Sequence, residues 1–405
     1  MTALHLFEAF GVELEYMIVD ATTLDVRPIA DRLLVDLHGS PVSEVEQGEA
    51  AWSNELVLHV IELKTNGPAA SLEGLDRLFQ QQVEQINARL ARHGARLMPT
   101  AMHPWMDPDQ EMQLWPRDYN PVYQAFDRIF DCRGHGWANL QSAHLNLPFA
   151  DDEEFGRLHA AIRLLLPLLP ALAASSPFVA GQFSGRLDHR LEVYRHNARR
   201  VPSVTGTVIP EPVFTRRDYE QRILEPMYRD IAPYDPQGIL QQEWLNARGA
   251  IARFDRDTIE IRVLDVQECP AADVAICQAV VAILRALVNE HWTAWEDQQE
   301  VGIEPLADVL QGTLRDAEAA IIAEPTLLRQ FGYPQPRVTA GELWHWMLEQ
   351  VDAQALHSPA MRLILDRGPL ARRIVNSLAG GQHTLRTLYG QLCDCLAEGC
   401  PFDGA

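Results

Sequence analysis

Residues Gly11–Asp20 read Gly-Val-Glu-Leu-Glu-Tyr-Met-Ile-Val-Asp, a β-branched and aromatic run that contains two internal carboxylates. Because side chains alternate along a strand, Glu13 and Glu15 project from the same face of it. Burying two neighbouring carboxylates is costly unless cations lie between them. The alternative is a half-exposed antiparallel strand whose acids point to water. The stretch therefore predicts a strand, and the rest of the chain must decide between a cation-binding face and a solvated one.

The composition is that of a globular protein with an excess of acids. Of the 405 residues, 47% are hydrophobic and 22% are charged, and the formal net charge is −22. Because this charge repels phosphate backbones and anionic lipids, we expect no nucleic acid and no membrane as a partner. Arginine supplies almost all of the positive charge. Lys64 is the only lysine, so any lysine-dependent mechanism must run through it.

The first ten residues lack the basic start and the long apolar core of a signal peptide. The longest apolar candidate for a membrane span, Leu164–Val179, is short and interrupted by prolines. We therefore expect a cytoplasmic protein. Six cysteines in a chain of this length are compatible with reduced thiols. Cys393, Cys395 and Cys400 are interpreted as incidental thiols rather than as a soft-metal site.

Extended segments are predicted in the first two-thirds of the chain. After Gly11–Asp20, they are Ser43–Gln47, Asn54–Leu63, Arg96–Pro99, Asn139–Pro148, Leu245–Arg253 and Thr258–Val266. Within the second of these, Glu55 and Glu62 are seven residues apart, so an unbroken strand would turn them to opposite faces. Both can reach one site only if a bulge intervenes or if Glu55 lies on the turn before the strand.

Helical periodicity covers most of the remaining chain. It predicts helices at Ser71–His93, Tyr123–Phe130, Asp151–Leu169, Tyr219–Ala232, Asp273–Trp292, Pro305–Ala323, Ala340–Val351 and Ser358–Leu396. The stretch His103–Pro121 is rich in proline and tryptophan and is predicted to be a loop, in which Trp105 and Trp115 cover a site. We predict one α+β domain over residues 1–405, with a sheet-bearing part over 1–270 and a mainly helical part over 271–405.

A basic segment stands out against the acidic chain. It contains Arg186, His189, Arg190, Arg195, His196, Arg199 and Arg200. One interpretation is a helix face that pairs with surface acids. The other is a clamp for phosphate or carboxylate groups, which planar guanidinium groups suit. On the second interpretation, Arg195, Arg199 and Arg200 are the candidates to bind a substrate carboxylate or a phosphate.

Polar side chains on several predicted strands can meet at one site. They are Glu13, Glu15, Glu55, Glu62, His144, Glu260 and Arg262. A sheet face with this many carboxylates must be neutralised, and Mg²⁺ or Mn²⁺ prefer oxygen ligands and bridge carboxylates to nucleotide phosphates. The pairing of Glu260 with Arg262, and the presence of His144, argue against a merely solvated face. The sequence therefore predicts a divalent-metal site with an arginine beside it.

Four of these segments resemble the glutamate–cysteine ligase family, within the glutamine synthetase-like carboxylate–amine ligases. They are Gly-Val-Glu-Leu-Glu at 11–15, Glu55 with Glu62-Leu-Lys-Thr, Ser-Ala-His-Leu-Asn at 142–146 and Thr-Ile-Glu-Ile-Arg at 258–262. They occur in the family's order and cover about the first 270 residues. The resemblance implies a curved antiparallel sheet of about six strands, with helices on its outer face and the active site on its concave face.

The resemblance also implies an ATP-dependent ligase that forms a C–N bond, as in glutathione biosynthesis. The γ-carboxylate of glutamate, or a similar carboxylate, would be joined to cysteine or another amine through an acyl phosphate. The residues matching the family's Mg²⁺ ligands are Glu13, Glu15, Glu55, Glu62, His144 and Glu260. Arg262 is expected to meet the γ-phosphate of ATP, so Glu62 and Arg262 are the expected catalytic residues. The sequence leaves open which amine is used and whether the chain forms a homo-oligomer.

Two other functions remain open at this point. A guanidino kinase-like phosphotransferase of the same broad superfamily relies more on arginines to hold its nucleotide, so the acid-rich face disfavours it. A non-catalytic sensor of glutamate or nucleotide with the same fold is expected to lose the metal carboxylates, all of which are present. Neither a P-loop nor a Gly-rich dinucleotide fingerprint occurs in the sequence.

Overall fold

The computed structural model describes residues 3–351, 358–381 and 383–404. Its strands are, in chain order, β1 (Gly11–Asp20), β2 (Glu44–Gln47), β3 (Ala50–Asn54), β4 (Val60–Thr65), β5 (Ala95–Met98), β6 (Ser142–Pro148), β7 (Phe178–Val179), β8 (Gln182–Phe183), β9 (Ala250–Arg253), β10 (Thr258–Asp265), β11 (Ile321–Ile322) and β12 (Val338–Thr339). Eight of them form one antiparallel sheet in the order β2-β3-β4-β1-β6-β10-β9, with β5 also paired to β1. The α+β class is confirmed, with eight strands rather than about six.

Helices make up much of the remaining chain. They are α1 (Ala30–His38), α2 (Leu75–Leu90), α3 (Pro108–Glu111), α4 (Asn120–Phe130), α5 (His135–Ala138), α6 (Asp152–Leu165), α7 (Pro170–Ala173), α8 (His189–Asn197), α9 (Arg216–Tyr219), α10 (Glu225–Ile231), α11 (Pro270–Val288), α12 (Trp295–Gln299), α13 (Ile303–Asp316), α14 (Pro325–Gln330), α15 (Ala340–Val351), α16 (Pro359–Arg367), α17 (Leu370–Ala379) and α18 (Leu385–Glu398). The C-terminal part is helical, as predicted. The division at residue 270 stays a prediction.

Alternation along β1 gives the sheet two chemically different faces. Tyr16 projects toward α11, where its hydroxyl lies 3.4 Å from the Asp273 carboxylate. Trp52 of β3 projects to the same side, and its Nε1 donates to Gln82 Oε1 of α2 at 3.0 Å. The even-numbered apolar residues of β1 are thus covered by helices. Glu13, on the alternate positions, faces the other side, where the structure forms a cavity.

Helix α11 is the long apolar helix of the core. By length and composition it is the kind of helix that can cross a membrane, but 72% of its apolar window is buried inside the protein. It packs against α2, α6 and α15. The stretch Leu164–Val179, which is the longest apolar candidate in the sequence, is divided between the end of α6, a 3₁₀ turn at Leu166–Leu168, α7 and β7.

The segment Asn54–Leu63, predicted to be one strand, is two strand ends joined by a connection. Strand β3 ends at Asn54, β4 begins at Val60, and residues 55–59 lie between them. Glu55 is therefore on the connection before the strand that carries Glu62. This placement removes the conflict of parity between the two acids, because Glu55 does not have to obey the alternation of β4.

A β-bulge occurs in β10 rather than in β4. The register of β10 against β6 shifts between Ile261 and Leu264. Both residues pair with residues of β6 that face the helices, so Leu264 shares a face with Ile261. Strict alternation along Thr258–Val266 would place Leu264 on the face of Glu260, and the structure differs because the bulge adds one residue to the strand.

Other predicted boundaries also differ. The predicted strand Leu245–Arg253 begins only at Ala250. Predicted helix Pro305–Ala323 ends at Asp316 and is followed by a 3₁₀ turn and β11. Predicted helix Ser358–Leu396 contains three helices, α16, α17 and α18. One of its residues, 382, lies outside the described part of the chain.

His159 of α6 makes the stability of the protein sensitive to acid. Its imidazole is fully buried and stacks on Phe155, with ring centroids 5.3 Å apart. Burial, reinforced by the charge of Arg163, lowers its pKa to about 3. The unfolded chain takes up this proton near pH 6.5, so stability is present above that pH and is lost as the pH falls toward the folded pKa.

We expect the His159→Phe variant to lose less stability than the wild type between pH 7 and pH 5. The penalty from His159 at pH 5 is about 2 kcal/mol, and the variant lacks it. Urea unfolding at both pH values measures the difference. Some dependence on pH will remain, since burial also lowers the pKa of His59 to about 4. Equal losses in the two proteins would contradict the assignment.

Candidate active site

A cavity of about 670 Å³ opens on the carboxylate-bearing face of the sheet. Its walls include all seven polar residues that the sequence analysis assigned to one site: Glu13, Glu15, Glu55, Glu62, His144, Glu260 and Arg262. These side chains come from β1, β4, β6, β10 and the connection between β3 and β4. The structure therefore brings together residues that are far apart in the sequence, from Glu13 to Arg262.

His144 is the centre of a chain of polar contacts between β1 and β6. Its Nδ1 lies 2.9 Å from Glu13 Oε2, and its Nε2 lies 2.9 Å from Ser142 Oγ. The backbone N–H of Ser142 donates to Glu15 Oε2 at 2.8 Å. Asn146 Nδ2 also donates to Glu13 Oε1, at 3.1 Å. The acids of β1 are thus fixed in position by groups of the neighbouring strand.

The charges of the site strengthen the contact between His144 and Glu13. Burial alone would lower the pKa of His144, but its hydrogen bond to Glu13 and the charges of Glu15, Glu13 and Glu260 raise the pKa to about 9. Burial likewise favours a higher pKa for Glu13, and the hydrogen bond and charge of His144 outweigh it, so that this pKa falls to about 2. Glu13 and His144 therefore form an ion pair at neutral pH.

Glu62 and Glu55 have raised pKa values. Burial and the charge of Glu13 raise the pKa of Glu62 to about 7, against the opposing charge of Lys64 and the hydrogen bond from Ser53 Oγ. Burial raises the pKa of Glu55 well above its ordinary value, and the charges of Glu15 and Glu62 add to the effect. A cation bound near these two carboxyls would lower their pKa values and stabilise their charged forms.

A divalent cation fits this set of residues. Ligand atoms of Glu13, Glu62 and His144 all lie within 4.8 Å of one another. The remaining acids of the cavity wall add further carboxylate oxygens, the donors that Mg²⁺ and Mn²⁺ prefer. Because His144 is protonated in the ion pair with Glu13, it must release a proton before it can act as a ligand.

Arg262 lies on the β10 side of the cavity. Its Nε is 2.8 Å from Glu260 Oε1, and its Nη1 donates to the Asn246 carbonyl at 3.2 Å. Arg253 approaches the same carboxylate from β9, with Nη1 3.6 Å from Glu260 Oε2. Burial opposes the charge of Arg262, but the charge of Glu260, together with those of Glu15 and Glu13, outweighs burial and raises the pKa of Arg262, so this guanidinium stays charged. Arg262 thus offers a fixed positive charge to an anion in the cavity.

Several cavity residues were not selected from the sequence. They are Lys64, Tyr119, Tyr123, Tyr228, Gln242, Glu243, Trp244, Arg253, Asp255 and Arg256. A signal existed for Lys64, which directly follows the predicted strand Asn54–Leu63 and, two residues after Glu62, would share its face if the strand continued. Arg253 ends the predicted strand Leu245–Arg253, and Asp255 and Arg256 lie between it and the predicted strand that carries Glu260. Tyr228 and Trp244 had no comparable signal. Tyr228 lies in the predicted helix Tyr219–Ala232, and Trp244 directly precedes the predicted strand Leu245–Arg253.

The three arginines selected as substrate anchors do not line the cavity. Arg195 lies 3.6 Å from Glu192 on its own helix. Arg200 donates to the Ile129 carbonyl at 2.8 Å, and Arg199 is exposed. Of the three, only Arg195 fits the interpretation of a helix face that pairs with acids, since Arg199 and Arg200 lie beyond the end of α8 at Asn197. We therefore do not include Arg195, Arg199 or Arg200 in the proposed site.

The loop predicted to cover the site contributes a different residue. Trp115 is buried in the hydrophobic core, and Trp105 Nε1 donates to Asp25 Oδ1 at 3.1 Å. Neither tryptophan lines the cavity. Tyr119, near the end of the same stretch, does line it and is 62% exposed. The covering role of Trp105 and Trp115 is therefore not retained.

Fold and site together define an α+β protein whose antiparallel sheet presents one carboxylate-rich cavity with cationic groups in its wall. The chain belongs to glutamate–cysteine ligase family 2, because the model of that family matches residues 9–370. The resemblance found in the four sequence segments is confirmed.

Individual known proteins are similar to the chain at different distances. An uncharacterized protein from Archaeoglobus fulgidus is 38% identical over 280 residues, which cover 69% of this chain and 75% of that protein. The glutamate–cysteine ligase of Francisella tularensis, crystallised with AMP, superposes with a TM-score of 0.62 at 13% identity, over 98% of this chain and 89% of that one. A bifunctional glutathione synthetase from Pasteurella multocida gives a TM-score of 0.51 at 15% identity, over 97% of this chain and 52% of that one. The two structures show a shared fold.

Proposed function

We propose that this protein is an ATP-dependent carboxylate–amine ligase that joins the γ-carboxylate of glutamate, or a similar carboxylate, to cysteine or another small amine. The observation that carries the proposal is the gathering of Glu13, Glu62 and His144 in one cavity with Arg262 beside them. Family membership supports it, and so does the fold shared with a glutamate–cysteine ligase that binds AMP.

The proposed reaction has two steps. In the first, an oxygen of the substrate carboxylate forms a bond to the γ-phosphorus of ATP, the bond from that phosphorus to the bridging oxygen breaks, and ADP leaves with the electron pair. In the second, the amine attacks the acyl carbon of the acyl phosphate, phosphate leaves, and the amine loses a proton. Both steps require aligned reactants and compensation of negative charge rather than a covalent enzyme intermediate.

Residues of the chain have separate tasks in this proposal. Glu13, Glu62 and His144 would hold Mg²⁺ or Mn²⁺, with Glu15, Glu55 and Glu260 as further oxygen donors. The ion, when bound, supplies positive charge that offsets the charge of the ATP phosphates. Arg262, held by Glu260 and by the Asn246 carbonyl, would orient the γ-phosphate. Water would hydrolyse the acyl phosphate, so the proposal requires that the amine reach it before water does.

ADP release by the purified protein tests the proposal. The assay contains Mg-ATP, L-glutamate and one amine at a time from a panel led by L-cysteine. We expect release that requires both the carboxylate and one of the amines, and mass spectrometry should find the amide product. Omission of glutamate is the control for simple ATP hydrolysis. If ATP binds but no combination turns over, a nucleotide sensor becomes the better description and the ligase is rejected.

A further inference from the structure

Lys64, the only lysine in the chain, lies in the wall of the cavity. It follows Glu62 by two residues on β4, so both side chains project from the same face, and it stands opposite Glu13 in the register of β1. Its Nζ is 2.6 Å from Glu44 Oε2 and 3.3 Å from Glu62 Oε2. The ammonium group therefore connects a site carboxylate with a carboxylate of the edge strand β2.

This position of the ammonium group can change when ligands bind. Glu62 Oε2, which Lys64 approaches, already accepts a hydrogen bond from Ser53, and a divalent ion at Glu62 would compete for the same carboxylate. The side chain of Glu44 is 48% exposed, and exposed ion pairs contribute little energy. A lysine also moves on a flexible stem, whereas an arginine holds its partners in a fixed planar geometry.

The order of strands places cations on both sides of the candidate metal ligands. Lys64 and Glu62 lie on β4, Glu13 on β1, His144 on β6 and Arg262 on β10, and these four strands are consecutive neighbours in the sheet. An anion bound over Glu13 and His144 would therefore have an ammonium group on one side and a guanidinium group on the other. Such an arrangement suits a phosphoryl group whose charge is spread over several oxygens.

We propose that Lys64 is a catalytic residue whose ammonium group leaves Glu62 and contacts the phosphoryl group being transferred, opposite Arg262. The inference rests on the proposed function, since it needs ATP as the phosphoryl donor. Lys64 donates hydrogen bonds and keeps its proton throughout, so the bonds made and broken are those of the first reaction step. The competing possibility is that Lys64 only neutralises Glu62 and has no contact with the nucleotide.

Amine-selective labelling distinguishes these possibilities, because Lys64 is the only side chain that such a reagent modifies in this chain. The α-amino group is the internal reference, and mass spectrometry measures the labelling rate of each amine. We expect the complex with Mg²⁺ and a non-hydrolysable ATP analogue to slow the labelling of Lys64 about tenfold, since contact with phosphate disfavours the free amine. Faster or unchanged labelling in that complex would overturn the proposal.

Calorimetry on the same sample separates two kinds of failure. If the ATP analogue binds and Lys64 is not protected, the role of Lys64 is wrong while the proposed function stands. If no nucleotide binds at any tested concentration of Mg²⁺ or Mn²⁺, the proposed function itself fails and the role of Lys64 fails with it.

Substitution supplies a second test of the same proposal. Lys64→Met should lower kcat about a hundredfold, the usual effect of removing one group that stabilises charge in the transition state. Its affinity for Mn²⁺, titrated in the absence of nucleotide, should equal or exceed that of the wild type, because a competing cation has gone. Lys64→Arg should recover little kcat. An unchanged kcat in Lys64→Met would reject a direct contact with phosphate. So would a weakened affinity for Mn²⁺ that is large enough to account for the fall in kcat.

Discussion

Replacing Glu62 with glutamine is expected to reduce ADP release at least about a thousandfold, or ~4 kcal/mol, while leaving the protein folded. Glutamine preserves the shape of the side chain and removes its charge. The ligand atom of Glu62 belongs to the group within 4.8 Å that also contains Glu13 and His144, so the variant loses one charged member of the candidate metal site. Neutral amides are poorer ligands for Mg²⁺ than carboxylates are.

The same substitution should not destabilise the protein in the absence of metal. Burial and the charge of Glu13 raise the pKa of Glu62 to about 7, which means that its charged form is unfavourable in the folded state. Removing that charge relieves the repulsion, although Lys64 loses one of its two partners. We therefore expect the free energy of unfolding of Glu62→Gln to equal or exceed that of the wild type, the pattern of a residue retained for function.

Glu84→Gln is the matched control for this variant. Glu84 is an exposed residue of α2, which packs on the face of the sheet away from the cavity, and the substitution changes the net charge by the same amount. ADP release and urea unfolding are measured for both variants without metal and with Mg²⁺. Only Glu62→Gln should lose activity and the stabilisation by Mg²⁺. Normal turnover in Glu62→Gln would remove Glu62 from the candidate site.

The acids of the site could be found from the sequence because strand alternation is a local rule. Glu13, Glu15 and Glu260 each lie in a clear strand pattern, and pairing to His144 follows once the strands form one sheet. Glu55 was selected with its parity unresolved. Its position on the connection between β3 and β4 depends on where strand pairing stops, and this is decided by tertiary contacts that the local pattern does not contain.

Residues from irregular segments show why the remainder of the site was missed. Tyr119 and Trp244 reach the cavity from the start of α4 and from a 3₁₀ turn, where no periodicity relates a side chain to a face. Tyr228 lies within α10, and the periodicity of a helix does not show which cavity its polar face will line. Charge density was also a poor guide. Arg195 is part of the most basic segment in the sequence, yet its neighbour in space is Glu192 on the same helix. A cluster of arginines in the sequence indicates a basic surface. Whether a given guanidinium group reaches the cavity depends on how its helix packs.

Arg190, from that same segment, has the largest expected effect on stability. It is 1% exposed, and its Nε forms an ion pair with Asp265, which is also buried. Asp188 is also fully buried, and burial and the charge of Asp265 raise its pKa well above the ordinary value, against the opposing charge of Arg190. Arg190→Met would leave these carboxylates without their cation. Removing one partner of a buried ion pair costs about 3–5 kcal/mol, and we expect a loss of that size.

Arg195→Met on the same helix is the matched control, because its ion pair with Glu192 is half-buried, spans 3.6 Å and should contribute less than about 1 kcal/mol. Urea unfolding at pH 7 compares the two variants, and the double variant Arg190→Met/Asp265→Asn should recover part of the loss because one unpaired charge is removed.

A small loss of unfolding free energy in Arg190→Met would mean that the buried acids are neutral in the folded protein.

Arg190 also supports the candidate site, since both of its terminal nitrogens lie 3.4 Å from the carbonyl oxygen of Arg262, within the bulge of β10. Activity should therefore fall even in Arg190→Met molecules that remain folded, because the guanidinium group of Arg262 loses the backbone support that positions it. Arg195→Met has no such connection and should keep full activity.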